Sequence, residues 1–324
     1  MISIFGALLP VFGLVALGMV IDRVKMMPQG TALVLNQWVF RLSLPSLIFV
    51  SFAVKTPEEL IRAAYMAATL LGMFVAFMAV YAVFKRFYRH SHVESGIWAL
   101  LASFPNTSFL GLPILVSIFP GNSDAVLASA ISTVLLLPLL MFVTVLLEYE
   151  KASAGNPAAG REALRKVAVS MGKNPVLLST VIGVIVCLSR IPIPGPLTSL
   201  FQMISITTSP CSLVAIGMVL SAQIAMRDAS SRTGKSRLIY VNLVKLVAQP
   251  AVTYVLLRLM GESGAWLAMG VILAGMPTGT IVYVVSENYN SCTNESSLTI
   301  LTNTLLSVLT IPLTIAILEH FKVF

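Results

Sequence analysis

The chain has 324 residues, of which 57% are hydrophobic and 10% charged, and its mean hydropathy is +0.92. Because ordinary soluble domains carry about 25% charged residues, this composition excludes a soluble globular protein and predicts an integral membrane protein. The 21 Lys and Arg residues exceed the 13 Asp and Glu residues, which gives a net charge of +8. In a membrane protein this excess indicates basic cytoplasmic loops. We therefore expect the lipid bilayer, and not a nucleic acid, as a partner.

The first apolar segment carries no charge before Asp22 and no small-residue cleavage site, so we interpret it as a membrane span and not as a signal peptide. A helix that crosses ~30 Å of hydrocarbon needs about 20 apolar residues. Segments of this kind predict an all-α membrane protein with ten transmembrane helices, at about 2–21, 31–53, 63–84, 96–118, 125–147, 175–191, 197–222, 238–259, 265–286 and 297–318.

Basic residues are distributed unevenly between alternate loops, with 14 on one side and 5 on the other. The richer side is predicted to be cytoplasmic, which places both termini outside the cell (inner) membrane. The longest interruption, 148–174, is predicted to be a cytoplasmic connecting loop between a first five-helix repeat, 1–147, and a second one, 175–324. Within this loop, residues 161–171 form either a short helix on the inner leaflet or a solvated connector.

Prolines recur in the same order in the two halves, which indicates an internal duplication. Because each half has five spans, the second half is predicted to enter the membrane inverted, as in many secondary transporters. The matched pairs are Pro10 and Pro175, Pro45 and Pro210, Pro105 and Pro277, and Pro138 and Pro312, at offsets of 165, 165, 172 and 174.

The fourth and ninth segments each contain a helix-breaking run in mid-span, at 105–108 and 275–280. A single proline would be interpreted as a kink, but two matched breaks with hydroxyl and amide side chains predict a polar cavity, since freed backbone groups need partners inside a membrane. Helices that start at such breaks direct positive dipole ends inward and favour an anion. The candidate substrate-binding residues of these runs are Pro105, Asn106, Thr107, Pro277, Thr278 and Gly279.

Two cations, Arg41 and Lys245, fall well within the predicted spans, whereas no acidic residue does. An isolated charge at mid-depth costs at least ~2.5 to 3.5 kcal/mol, so each cation needs a partner. Arg41 either contacts substrate or bonds loose carbonyls near Pro45. Lys245 either takes part in coupling or extends to the inner interface. Sodium coupling would require hydroxyls and carbonyls such as those at Ser209 and Thr280, while a proton could travel on Lys245 or on the substrate.

The three histidines lie outside the predicted spans, and the spans contain no Ser/His pair, aspartyl pair or metal-ligand cluster. The pattern therefore predicts no enzyme, no metal site and no cofactor other than a coupling Na⁺ or H⁺. A passive channel and a membrane-embedded sensor or scaffold remain as competing classes, although neither requires two matched breaks.

Several runs resemble the auxin efflux carrier family, which includes plant auxin exporters and prokaryotic carriers of malonate and other organic acids. They are LSLPSLIFVSF (42–52), SFPNTSFLGLPI (103–114), MPTGTIVYVVSENYN (276–290) and the terminal NTLLSVLTIPLTIAI. The resemblance implies a ten-helix inverted repeat with helices four and nine crossing at their prolines, an elevator-like movement of two subdomains, and a homodimer. It also implies that Asn106 contacts a substrate carboxylate, with Thr278 as its counterpart.

The sequence differs from the plant auxin exporters in two ways, and both favour a prokaryotic carrier. The central loop is 27 residues long and not a long hydrophilic region, and the third span lacks the ionisable residues of auxin exporters. A small organic anion such as malonate is therefore the expected substrate, carried by symport or a related coupled mechanism. An auxin-like weak-acid exporter stays as the alternative.

Overall fold

A computed structural model describes residues 4–60, 62–153, 165, 169, 172–190, 192–225 and 234–324. Regular secondary structure in these residues is entirely helical, which confirms the predicted all-α class. The α-helices are α1 (Ile4–Arg23), α2 (Thr31–Trp38), α3 (Leu44–Ala53), α4 (Pro57–Leu60), α5 (Ala63–Arg86), α6 (His92–Ser103), α7 (Leu112–Ile118), α8 (Ser123–Ser153), α9 (Pro175–Ser189), α10 (Gly195–Ser205), α11 (Thr208–Ala225), α12 (Lys235–Leu243), α13 (Gln249–Leu259), α14 (Gly264–Ala274), α15 (Ile281–Asn288) and α16 (Thr293–His320).

Several of these helices are long and apolar enough to cross a membrane. Six such stretches occur among the described residues: Thr31–Ala53, Ala63–Arg86, Ser123–Glu148, Gly195–Ala225, Lys235–Leu259 and Thr293–His320. Shorter apolar helices lie at Thr107–Ile118, Pro175–Ser189 and Gly264–Ala274. The chain is therefore a multi-pass helical membrane protein. The predicted surface helix at 161–171 lies almost wholly outside the described residues.

Three short π-helical segments interrupt the helices, and each ends two residues before a proline. They are π1 (Val39–Ser43), π2 (Thr107–Gly111) and π3 (Val244–Ala248), followed by Pro45, Pro113 and Pro250. A proline lacks an N–H and its ring clashes with the carbonyl four residues earlier, so the preceding turn widens. Single π turns of this kind often mark functional sites. Arg41 lies on π1 and Lys245 on π3.

The chain divides into two compact units that do not follow the order of the predicted repeats. Unit 1 contains 1–63, 107–134 and 172–227, whereas unit 2 contains 64–106, 135–171 and 228–324. Each unit therefore takes segments from both halves of the sequence. Compact units are defined by contacts in space, whereas a repeat is defined by the order of segments along the chain. The repeats at 1–147 and 175–324 therefore stay a prediction.

Close helix contacts in unit 1 recur at the predicted repeat offset. A Cβ at Gly18 would lie 2.2 Å from the Val214 carbonyl oxygen and 3.1 Å from Gly217 Cα, so α1 and α11 approach closely. Small residues permit such contact between membrane helices. A Cβ at Gly183 would lie 3.1 Å from the Phe49 carbonyl oxygen and 2.8 Å from Phe52 Cβ. Adding 165 to 18, 49 and 52 gives 183, 214 and 217, so the two contacts are equivalent under the offset of the first two proline pairs.

In unit 2 the two half-helices that precede the predicted breaks are buried on all sides. Every residue from Ser95 to Ser103 on α6, and from Trp266 to Ala274 on α14, is buried. A helix that is apolar all round belongs in a protein interior or a membrane. The aromatic pair Phe84 and Trp98, stacked with ring centroids 4.9 Å apart, anchors α6 in this core.

Contacts within each unit join loops that the sequence assigns to the same side of the membrane. In unit 1, Lys55 and Asp124 form an ion pair of 2.7 Å between two loops predicted to be external. In unit 2, the Tyr289 hydroxyl donates to Glu148 over 2.7 Å at two segments predicted to be cytoplasmic. These contacts agree with the predicted alternation of loops. They would be the same if the chain crossed the membrane in the opposite orientation.

Candidate functional site

The sequence-predicted helix breaks are present in both segments. Helix α6 ends at Ser103, and π2 begins at Thr107. Helix α14 ends at Ala274, and α15 begins at Ile281. The residue before a proline is disfavoured in the α conformation, and Phe104 is accordingly extended at φ −98° and ψ 94°. We call residues 104–106 and 275–280, which form the two breaks, the crossover.

The backbones of the two breaks pair with each other inside unit 2. Pro105 and Thr278 form an antiparallel bridge. On either side of it, the Asn106 N–H donates to the Pro277 carbonyl over 2.8 Å, and the Gly279 N–H donates to the Phe104 carbonyl over 2.9 Å. Four backbone groups freed by the breaks therefore satisfy one another, as the membrane interior requires.

The pairing of the two breaks brings Gly279 against an aromatic ring. A Cβ at this position would lie 3.2 Å from Cδ1 of Phe104. This spacing is tighter than ordinary van der Waals contact, so a Cβ at this position would require the Phe104 ring to shift by a few tenths of an ångström. Gly279 is thus explained by the close approach of the two breaks.

The carbonyl groups at the ends of the two half-helices receive side-chain donors. The Gln249 amide donates to the Ser103 carbonyl over 3.0 Å, and the Lys245 Nζ donates to the Ala274 carbonyl over 2.7 Å. Lys245 also donates to the Gln249 Oε1 over 2.6 Å. The sequence allows Lys245 to extend to the inner interface, but the structure buries both side chains completely, at 0% exposure. Both side chains are buried because they donate hydrogen bonds to helix ends, Lys245 to the end of α14 and Gln249 to the end of α6.

Thr278 connects the crossover to two further elements of unit 2. Its hydroxyl donates to the Leu101 carbonyl on α6 and accepts a hydrogen bond of 2.8 Å from the Asn303 Nδ2 on α16. Asn303 is fully buried. The Thr278 side chain is therefore held from both sides within the unit.

Side-chain hydrogen bonds within unit 1 hold Thr107, the first residue of π2. The Ser129 hydroxyl donates to the Thr107 carbonyl over 2.9 Å, and the Thr107 and Thr133 hydroxyls lie 2.9 Å apart. Adding 174, the offset of Pro138 and Pro312, to 129 gives 303. Ser129 on α8 and Asn303 on α16 thus occupy matched positions, and each donates a side-chain hydrogen bond, Ser129 to the Thr107 carbonyl in unit 1 and Asn303 to the Thr278 hydroxyl in unit 2.

The structure brings some of the predicted site residues together in unit 2, whereas others belong to unit 1. In unit 2, Asn106 is half-buried, Thr280 is exposed and the rest are buried: Pro105, Lys245, Pro277, Thr278 and Gly279. In unit 1, Thr107 is buried, Ser209 is half-buried on α11, and Arg41 is exposed on π1. Substrate or ion contact by any of these residues stays a prediction.

Sequence reasoning did not select Gln249 or Asn303, which both serve the crossover. Gln249 follows Lys245 by four residues, so both side chains share one helix face directly before Pro250. Asn303 is an amide in the middle of a long apolar helix. Polar groups in such positions bond to neighbouring helices, and this signal could have indicated both residues.

The electrostatic features of the crossover are a helix N-terminus and a neighbouring lysine. Helix α15 is preceded by an exposed N-cap residue, Thr280, whose side chain makes no capping hydrogen bond. The positive end of the helix dipole lies at this N-terminus. No residue of the crossover is acidic, and Lys245 adds a cation. Broken helices with paired polar ends inside a helical membrane protein are typical of secondary transporters.

Comparison with known proteins identifies the same class. The family model described as "Membrane transport protein" matches residues 3–315. The chain therefore belongs to this family of membrane transporters, as its resemblance to the auxin efflux carriers predicts. The chain is 28% identical to the "Putative malonate transporter" of Rhizobium meliloti (strain 1021), over 96% of its own length and 94% of that protein. It is 23% identical to the "Uncharacterized transporter YfdV" of Escherichia coli (strain K12), over 95% of both chains.

Proposed function

We propose that this membrane transporter is a secondary carrier of a small organic anion, with a malonate-like dicarboxylate as the preferred class. The observation that carries the proposal is the crossover, in which two helix breaks pair beside the half-buried Asn106. An amide can donate to a carboxylate while the backbone N–H of the same residue holds the bridge. The name of the Rhizobium meliloti relative supports this substrate class.

The charge balance of the site favours an anion over a cation. The predicted spans contain Arg41 and Lys245 but no Asp or Glu. A cationic substrate would face the positive dipole end of α15 with no counter-ion, whereas a carboxylate would be attracted to it. We assign direct contact to Asn106 and the residues around Thr280, and we keep Ser209 and Thr280 as candidates for sodium coupling.

We further propose that the chain crosses the cell membrane ten times as two inverted five-helix repeats, with both termini outside, and that it forms a homodimer. The close helix contacts that recur at an offset of 165 support the repeat. Because both breaks pair within unit 2, we assign that unit the role of carrying the substrate in an elevator-type movement.

The test is uptake of labelled malonate into proteoliposomes that contain the purified protein. We expect saturable uptake that succinate inhibits and that the neutral malonamide does not. Asn106→Ala should weaken binding by about 1–3 kcal/mol, the range for leaving a buried polar partner unsatisfied. The matched control is Asn288→Ala, which alters an exposed asparagine at the end of α15 in the same unit.

Other outcomes would contradict the proposal in different ways. Flux that does not saturate would indicate a channel. Equal competition by malonamide and malonate would exclude an anion site, and wild-type affinity in Asn106→Ala would place the site away from the crossover. Absence of any carboxylate binding or uptake would favour a sensor or scaffold.

A further inference from the structure

Lys245 and Gln249 link the ends of both half-helices through one chain of hydrogen bonds. The chain runs from the Ala274 carbonyl to Lys245 Nζ at 2.7 Å, from Nζ to Gln249 Oε1 at 2.6 Å, and from Gln249 Nε2 to the Ser103 carbonyl at 3.0 Å. Ala274 and Ser103 are the last residues of α14 and α6. The Lys245–Gln249 pair therefore joins two helix C-termini that are remote in sequence.

The two helix ends can offset the buried charge of Lys245. The C-terminus of an α-helix carries roughly half a negative charge. Helices α6 and α14 have 12 and 11 residues, long enough for this effect. Two such ends together supply about one negative charge. Within the described part of the chain, no acidic side chain forms an ion pair with Lys245. The atoms that its Nζ contacts are instead two carbonyl oxygens, of the Ala274 backbone and the Gln249 side chain.

This arrangement bears directly on the crossover. Ser103 and Ala274 each immediately precede one of the two breaks. If these ends separated, the bonds from Asn106 to Pro277 and from Gly279 to Phe104 would lose their alignment, because Phe104 and Gly275 directly continue the two helices. The negative ends would also be left uncompensated beside an anion site.

We propose that Lys245 and Gln249 are positioning residues, which hold the crossover in its paired geometry and neutralise its two negative helix ends without contacting the substrate. The part of this inference that concerns anion affinity rests on the proposed function above. The part that concerns crossover geometry does not, so the two can be tested separately.

The first measurement needs no substrate. Hydrogen–deuterium exchange of peptides covering 104–107 and 277–280 reports opening of the Asn106 and Gly279 amides. With Lys245→Met in the full-length protein, we expect exchange at both peptides to accelerate at least about 10-fold, equivalent to ~1.4 kcal/mol of opening free energy. Lys235→Met, at an exposed lysine at the start of α12, is the matched control and should exchange like the wild type.

The second measurement is malonate binding and uptake by the same variants. We expect Lys245→Met to raise the Kd and KM for malonate at least about 10-fold, ~1.4 kcal/mol, while the maximal rate changes less. Lys245→Arg, which keeps the charge, should recover most of the affinity. Gln249→Met should resemble Lys245→Met, and the double variant should be little worse than either, because residues of one network are not additive.

Three outcomes are decisive. Wild-type exchange at both peptides in Lys245→Met would overturn the proposal, and so would additive effects in the double variant. If Lys245→Met does not fold, the same exchange experiment on Gln249→Met decides, since this variant disconnects Ser103 but leaves Lys245 on Ala274. Faster exchange in a protein that binds no malonate would uphold the positioning role and refute the proposed function instead.

Discussion

The Nδ2 of Asn303 lies 2.8 Å from the hydroxyl oxygen of Thr278, and both side chains are buried. The Thr278 hydroxyl donates its own proton to the Leu101 carbonyl, so it must accept from Asn303. The direction of both bonds is therefore fixed. One hydroxyl therefore links α6, the crossover and α16.

Replacing Thr278 with valine should destabilise the protein. Valine has the shape of threonine but leaves the Leu101 carbonyl and the Asn303 amide without a partner, which costs about 1–3 kcal/mol. Thermal unfolding of the purified protein measures the effect. Thr280→Val, at an exposed threonine two residues later, is the control and should unfold like the wild type. Equal stability of the two variants would show that the Thr278 bonds contribute nothing.

The breaks at Pro105 and Pro277 could be predicted from the sequence, whereas the groups that satisfy them could not. A proline breaks a helix by local sterics, so its own position is sufficient evidence. The bond from Gln249 to Ser103 spans 146 residues and depends on how α13 packs against α6. The sequence pattern indicates how deep Lys245 lies within its span, but not which neighbouring helices it faces. Its complete burial therefore could not be predicted.

The division of the chain into two units also could not be predicted from the sequence. The prolines indicate a repeat in chain order, but they do not say which helices from each half associate. Gly18 illustrates the difference. Its glycine identity suggests a close contact somewhere, yet the partner, Val214 on α11, is fixed only by packing in unit 1.

This contact gives a second prediction. A Cβ at Gly18 would lie 2.2 Å from a backbone oxygen, so Gly18→Ala must separate α1 from α11 and should cost about 1–3 kcal/mol. Gly13 lies on the same helix with nothing within 4 Å of its added Cβ. Gly13→Ala should therefore be neutral or slightly stabilising, since alanine favours helices. Thermal unfolding of both variants provides the comparison, and equal melting temperatures would refute the packing argument.

A third prediction concerns pH and the first turn of α6, which lies before the predicted span begins. The Ser91 hydroxyl and the Glu94 carboxylate cap each other's backbone N–H groups, both at 3.0 Å. The hydrogen bond from His90, 2.9 Å away, is the main cause that lowers the pKa of Glu94 below 4.5, assisted by the bonds from Ser91 and opposed by desolvation.

A carboxylate whose pKa is lowered by folding contributes stability above its unfolded pKa, and this contribution disappears as the pH falls through its folded pKa. Glu94→Gln keeps a capping amide but removes the charge. We expect its melting temperature to be lower than that of the wild type near pH 7 and the difference to shrink below about pH 4. Glu319→Gln, at an exposed glutamate of α16, should show no such difference. A gap that does not vary with pH would contradict the assignment.

Membrane orientation follows from the uneven distribution of basic residues and gives a fourth prediction. In a background without Cys187, Cys211 and Cys292, a cysteine introduced at Gly155 should be protected from an impermeant maleimide in intact cells, because the 148–174 loop is predicted to be cytoplasmic. Lys322→Cys, near the C-terminus, should be labelled. The reverse pattern would invert the proposed topology.

The last prediction contrasts the two cations of the predicted spans. Lys245 is fully buried, and its charge is matched by the Ala274 carbonyl and Gln249. Arg41 differs because it is exposed on π1 in unit 1 and forms no ion pair with an acidic side chain among the described residues. A guanidinium presents a planar fork of donors that fits a carboxylate in two places. We therefore expect Arg41 to attract the anionic substrate directly, whereas Lys245 acts through the backbone.

Arg41→Gln should lower malonate uptake or affinity at least about 10-fold, a loss of ~1.4 kcal/mol, without the faster exchange at 104–107 and 277–280 that is expected of Lys245→Met. Malonate uptake by proteoliposomes and exchange on the same preparations separate the two roles. Arg258→Gln, at an exposed arginine near the end of α13, is the control. Normal transport by Arg41→Gln would show that this cation is satisfied by other means and does not attract the substrate.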